Sequence, residues 1–511
     1  MKYCFTILLA ATLLMPSVAR AQETKELTNL VIFLRFADDD EIEHDFAEID
    51  SMFNGRTPRY YSVYNYYDAM TYGRIHYNTV YTNNIENGVI VSYRDTMPRG
   101  YFQPYTEANP IGYQPWEQPF MGISMREAQL QARAFHYVDS LGLVDSSVVL
   151  DGDGDGYIDN VSFVVKGGVG EWASILWPHM EFFPHDSIDH PVTVNGLRPN
   201  TFNFEFEGAD HGYFTAAVFC HELGHSLHLP DHYHYVNYRE VTPSGSWDLM
   251  CNNHEGANHT AAIYKSKVLG VCDEPIQITC DGDYTLNSVG SSPHRNCYYI
   301  KSATDSTQWF TFEYRRKEDP FEFGIPHTGL IAARWNDTVP LDYNGMFANA
   351  FFDGQSRAHQ YWVFRPASAS DTEDGNVYAA CFCAQMGRTE FGPTTDPHPY
   401  LTDGTPETSF EITDIQENGT ELTFHVHFLS GPYVGMTTAE EIENSKLKIE
   451  INGRSICVDN RDSEVIGLYD VMGRQLATSR LSNFNFQCSN PGVYIVKVGN
   501  WPAKKVVVTG V

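Results

Sequence analysis

The five residues His221-Glu222-Leu223-Gly224-His225 constrain this chain more than any other stretch. Histidines four apart lie on one face of a helix, so both imidazoles can reach a single ion. The residues before them, Ala216-Ala217-Val218-Phe219-Cys220, are apolar all round, which predicts a buried helix. Two imidazoles and a carboxylate inside a protein cost free energy unless a ligand or partner satisfies them. The competing reading, a solvated helix with two surface histidines, sits badly with that apolar flank.

Zinc suits such a pair. A catalytic zinc site takes three protein ligands and keeps a fourth position open. Pro230 disfavours the helical region for Leu229, so the helix is predicted to end near His228 and the chain to turn. The turn lets Asp231, six residues after His225, fold back as the third ligand. His228 lies two turns from His221, roughly 10 Å along the axis, and is a poor ligand for the same ion. His232 and His234 read as solvated loop residues. A zinc ion lowers the pKa of its bound water to about 7. Glu222, next to His221, is placed to take a proton from that water and pass it to a leaving amine.

A second cation is expected upstream. Asp151-Gly152-Asp153-Gly154-Asp155-Gly156-Tyr157-Ile158-Asp159 sets carboxylates at loop positions 1, 3, 5 and 9, with glycine at 6. That spacing wraps oxygens around a hard cation, with the Tyr157 carbonyl as a further donor. Carboxylates this close repel each other without a counter-ion. The expectation is a structural Ca2+ held by Asp151, Asp153, Asp155, Tyr157 and Asp159. Position 12 is Ser162 and not Glu, so this is not a standard helix-loop-helix site.

The rest of the chain gives an address and an organisation. Lys2, the apolar run Phe5 to Met15 and Ala19-Arg20-Ala21 read as a signal peptide over residues 1–21. No later stretch is apolar for long enough to span a bilayer, so a secreted or cell-surface protein is expected. Net charge is −31, which sets the chain against nucleic acid and anionic lipid. Residues 22–271 alternate strand and helix signals. Residues 272–430 read as all-β, 431–445 as a polar linker, and 446–511 as a small β-sandwich. Nine cysteines follow the signal, an odd number; Cys457 and Cys488 could pair within the last domain, though spacing alone leaves connectivity open, and Cys381 and Cys383 are expected not to bridge.

With these residues in view, the chain resembles the immune inhibitor A family of secreted zinc metallopeptidases, within the metzincin group. The resemblance rests on His221 to Asp231, on Asp231-His232-Tyr233, and on Ser246-Trp247-Asp248-Leu249-Met250, which is similar to the methionine turn. It extends through Asn29 to Leu34, Ser62 to Gly73, Trp177-Pro178-His179 and Phe310 to Ile331, covering about residues 27 to 430. It implies an α/β metzincin-like zinc peptidase domain followed by all-β domains, with Met250 as an apolar floor beneath the metal and calcium in the catalytic domain. The chain departs from the pattern at His228, where the family carries glycine in a left-handed turn. Leu468 to Arg474, Gly492 to Val498 and Lys504-Lys505-Val506 are similar to the sorting domain of the type IX secretion system. That implies the type IX machinery as a partner and export across an outer membrane. The function implied is zinc-dependent cleavage of protein or peptide substrates. The alternatives are a calcium-stabilised adhesin with a vestigial metal site, or a zinc hydrolase of a non-peptide amide or ester.

Overall fold

A computed structural model describes residues 24–117, 124–168, 175–176, 178–185, 191–208, 214–233, 241–253, 256–339, 359–431, 447–452, 454–460, 465–470, 474–479, 483–488, 490, 492–498 and 504–508. The signal segment, Trp177, His234, almost all of the expected linker, and Val471 to Gly473 lie outside the described residues.

The N-terminal part is built on a six-stranded sheet. Its strands are β1 (Lys25–Arg35), β2 (Ile75–Tyr81), β3 (Tyr93–Arg94), β4 (Asn160–Val165), β5 (His179–Phe182) and β6 (Thr201–Phe206). The order is β2-β1-β4-β6-β5, with β3 paired to the end of β1. All pairings are parallel except that of β5 with β6. β1 is buried from Leu27 to Leu34, which is why it reads as a continuous apolar run and not as an alternation.

Four helices matter here: α1 (Phe46–Asn54), α2 (Val63–Met70), α3 (Met125–Ser140) and α4 (Ala216–Ser226). Ser124 starts α3 by accepting the Glu127 N–H, and Ser62 starts α2 by accepting the Asn65 N–H. Strand alternation divides the sheet into two apolar faces. Leu30, Ile32 and Phe163 join Leu130 and Phe135 of α3 on one side. Val31, Phe33 and Val164 join Tyr66 of α2 and Phe219 and Leu223 of α4 on the other. The tyrosine-rich stretch of α2 and β2 serves this second face. Tyr67 donates its hydroxyl to Cys220 O at 2.7 Å, and Tyr77 to Leu223 O at 3.4 Å, so two phenols grip the backbone of α4.

Beyond residue 271 come a five-stranded sheet (Ile276–Gln277, Tyr298–Lys301, Gln308–Arg315, Gly329–Asn336, Tyr361–Val363) and a three-stranded one (Gly282–Asn287, Glu421–Phe428, Phe410–Asn418). The apolar cluster under α4 runs on into the first of these through Ile331, Trp335 and Val363. Arg315, wholly buried, donates to Trp247 O, to His259 O at 2.9 Å and to Glu322. The turn that carries Met250 is thereby anchored from the β-rich part. Among the described residues, no helix is long and apolar enough to cross a membrane.

The last residues form two sheets, of three and four strands, closing on one core of Ile449, Ile456, Leu468, Val496 and Val506. The structure settles the pairing differently from Cys457–Cys488: Cys457 bonds Cys280 of the β-rich part, and Cys488 is a free thiol. Alternation gives the reason. Ile456 and Val458 point into the core, so Cys457 between them points out, whereas Cys488 lies in the core itself. Cys381 and Cys383 stay unbridged, with sulfurs 4.0 Å apart.

Candidate metal centre

Thr215 caps α4 by accepting the Val218 N–H, and the helix carries the two histidines into the space between sheet and β-rich part. It ends in a double closure: Leu229 N–H returns to Gly224 O at 3.1 Å, and His228 N–H to His225 O at 2.8 Å. That closure requires a left-handed residue between the two, and His228 has φ +67°. A side chain with Cβ pays about 1–2 kcal/mol in this region. His228→Gly is therefore expected to raise stability by up to about 1 kcal/mol once the extra freedom of glycine in the unfolded chain is set against the relief. A denaturant titration read by tyrosine fluorescence would show the midpoint moving up; an unchanged or lower midpoint would mean that His228 is held there without strain.

The closure turns the chain back so that Asp231 meets both histidines. Asp231 Oδ1 lies 3.1 Å from His221 Nε2 and 3.3 Å from His225 Nε2. The other ring nitrogens are occupied: His221 Nδ1 is 3.1 Å from Leu249 O and His225 Nδ1 2.7 Å from Leu229 O. A carbonyl can only accept, so each Nδ1 carries the proton and each Nε2 is turned to the common point. His221 and Asp231 are about 95% buried, with exposures of 4% and 5%. Burial works against charge on all three groups, yet they sustain one another. The imidazoles hold Asp231 well below the usual carboxylate range, and Asp231 and Glu222 push His225 up to about 9. Two imidazoles, each with its Nδ1 held by a carbonyl, and a carboxylate converge within 4.8 Å, a donor set that fits a divalent ion.

Three neighbours frame the group. Glu222 is buried beside His221 at 6% exposure. Met250 is wholly buried and packs on Gly224, where an added Cβ would stand 3.1 Å from its sulfur. That packing leaves room for nothing larger than glycine at position 224 without movement of Met250. The Tyr233 ring lies nearly parallel to that of His221 at 6.3 Å, and its phenol interacts with Asp231.

His232 corrects the sequence reading. It is no solvated loop residue but wholly buried, its Nδ1 3.2 Å from Asp248 Oδ2 and its ring 4.2 Å from that of Tyr264. Its N–H donates to Met250 O at 2.9 Å, and Asp248 also accepts from Met250 N and Ala261 N. This lock, together with Arg315, ties the Asp231 turn to the Met250 turn. Nothing in the spacing of His232, Asp248 and Arg315 announces it, because the three come from separate segments.

At the acidic loop, Asp151, Asp153 and Asp159 each bring an oxygen within 4.8 Å of the others. Asp155 stands outside that group, its Oδ1 accepting the Tyr157 N–H at 2.8 Å, and Tyr157 opens a two-residue strand. Asp151 accepts from Gly154, Asp155 and Gly156, while Asp159 Oδ2 accepts from Thr28 N at 2.7 Å and Gly152 N at 2.9 Å. Gly152 passes so close to β1 that a Cβ there would fall 1.9 Å from Glu26 O. A cavity of about 340 Å³ joins the loop to the end of α4, lined by Asp153, Asp155, Asp159, Ser226 and His228 among others. No protein-family profile matches the chain, and no characterised protein shows significant similarity to it.

Proposed function

We propose that the protein is a secreted zinc-dependent endopeptidase of the immune inhibitor A-like, metzincin type. The observation that carries this reading is the convergence of His221 Nε2, His225 Nε2 and Asp231 Oδ1, with both Nδ1 atoms held by backbone carbonyls. His221, His225 and Asp231 would hold a zinc ion, which when bound would supply Lewis acidity to a water and to the scissile carbonyl. Glu222 takes the proton from the attacking water and returns it to the amine as the C–N bond breaks. Burial of the group excludes bulk water, which strengthens each of these interactions. The outer strand β5, against which α4 packs, has no further strand beside it among the described residues. Its main chain offers an extended peptide the means to align by strand addition.

Purified mature protein is expected to hold about one zinc per chain by elemental analysis and to cleave casein. A zinc-selective chelator should stop cleavage and added Zn2+ restore it. Full proteolysis by metal-free protein would end the reading. Activity confined to small amides or esters would favour the non-peptide hydrolase, and metal-free binding to surfaces the adhesin. The C-terminal sandwich is read as the type IX sorting module, which takes no part in the chemistry.

The acidic loop is read as a Ca2+ site built on Asp151, Asp153 and Asp159. Burial raises Asp159 to about 6, against the hydrogen bonds that lower it. A carboxyl raised in the folded state contributes stability that is present at low pH and lost as pH rises through about 6. Calcium counters that loss, so its stabilisation should be largest above pH 6 and shrink below it. Thermal melts with Ca2+ or a calcium chelator, at pH 5 and pH 7.5 and with zinc kept saturating, read this directly. Equal melting temperatures at pH 7.5 would remove the site.

A further inference from the structure

The C-terminal sandwich folds on a core of its own. Ile449, Ile456, Val458, Phe484 and Val496 close on one another, and the core of the β-rich part is a separate cluster. A unit with its own core can stay folded when the chain leading into it is cut. What joins it to the rest of the protein is then a separate matter. In the strands Ser455–Asn460 and Asn483–Gln487, Cys457 stands directly opposite Asn485. Ile456, Val458, Phe484 and Phe486 alternate with these two and pack on the core, so Cys457 and Asn485 share the outer face.

That face meets the segment Gln277 to Cys280. Asn485 Nδ2 donates to Gln277 O at 3.2 Å and to Thr279 Oγ1, and Thr279 Oγ1 lies 3.5 Å from Cys457 Sγ. Beside them Cys280 and Cys457 close their disulfide across 177 residues of sequence. Amide and hydroxyl contacts of this sort exchange for water at little net gain, whereas a disulfide holds until a thiol opens it. The chain between the two cysteines includes the expected linker, 431–445. A backbone cut there leaves two polypeptides on one disulfide.

We propose that the Cys280–Cys457 bond decides whether the C-terminal sandwich leaves the protein: a cut in the linker keeps it attached, and a low-molecular-weight thiol then releases it. Cys280 is 3% exposed and Cys457 partly exposed, so the thiolate of the reagent attacks Cys457 Sγ. The electron pair of the S–S bond leaves on Cys280 Sγ, which takes a proton. A second thiolate attacks the reagent's sulfur in the mixed disulfide, Cys457 leaves and is protonated, and the reagent departs as its own disulfide. One protein disulfide is reduced and two thiols are oxidised. The inference needs neither the zinc centre nor the peptidase reading.

The test gives the full chain a site for a sequence-specific protease between Gly431 and Leu447 and cuts it there. On a denaturing gel without thiol the cut protein should run as one band, and with glutathione as two. In native gel filtration the sandwich should co-elute with the rest of the chain until glutathione is added and elute alone afterwards. The double variant Cys280→Ser/Cys457→Ser should separate on cutting, with no thiol present. Should that variant fold badly, glutathione-treated wild type makes the same comparison, and mass spectrometry of alkylated peptides places the opened bond at Cys280 and Cys457. Two bands without thiol would mean that the bond does not hold the pieces. A sandwich that still co-elutes once the bond is opened, or in the cut double variant, would mean that the interface holds by itself. Either result overturns the inference.

Discussion

Glu222→Gln is expected to lose on the order of 10²–10⁴-fold in kcat on casein or a fluorogenic peptide while binding zinc as the wild type does. The residue touches no ligand atom in its role. It shares α4 with both histidines, and the convergence of His221, His225 and Asp231 is set by backbone carbonyls and the helix closure. Gln preserves the volume of a side chain that is 6% exposed, so folding should survive. What disappears is a group that can take and return a proton. The decisive comparison is elemental analysis beside single-turnover kinetics. Zinc retained with turnover lost assigns the base; zinc and turnover lost together would make Glu222 a ligand or a structural residue. Turnover kept near the wild-type level would remove it from the mechanism.

Asp231→Ala is expected to be the most damaging single change in both metal binding and stability. Outer-shell partners of metal ligands are already worth about 10–100-fold in affinity, so loss of a ligand should cost at least about 100-fold. In the metal-free protein the change leaves two buried imidazoles without their counter-charge, a class of break worth about 3–5 kcal/mol. The sign with pH follows from the shifts. Asp231 is held below the usual carboxylate range, so its contribution is present above about pH 4 and fades in acid. His225 is pushed up to about 9, so its contribution is complete below about pH 6.5 and lost as pH rises through about 9. The deficit of Asp231→Ala in metal-free protein should therefore be widest between about pH 4 and 6.5 and narrow towards alkaline pH. Denaturant midpoints across that range, with zinc stripped, measure it. A deficit that grows with pH would mean that the histidines are neutral in the folded chain and Asp231 is held by something else.

Much of the centre was legible because it is local. Two histidines at helical spacing, an apolar flank, a proline that stops the helix and an aspartate just beyond it lie within sixteen residues, Ala216 to Asp231. Over that distance backbone geometry alone decides which side chains can meet. The left-handed turn at His228 was implied by the family resemblance, which places glycine there, and His228 does take φ +67°. The acidic loop was legible in outline, but hydrogen bonding within it drew Asp155 to the Tyr157 N–H and left Asp151, Asp153 and Asp159 together.

What the sequence by itself determined about this protein is the segment that could hold an ion and the residues that could serve it. Tertiary structure alone decided what surrounds that segment. His232 is buried because Asp248, sixteen residues on, closes over it, and Arg315 reaches back from the β-rich part to Trp247. Cys457 found Cys280 because strand alternation turned it outward. Glu205 lies buried on the α4 side of the sheet because alternation along β6 turns Phe204 and Phe206 to the α3 side. Contacts of this kind depend on register and on which face of a strand is covered. A one-residue slip would reverse them all, and no local pattern of residue types encodes that choice.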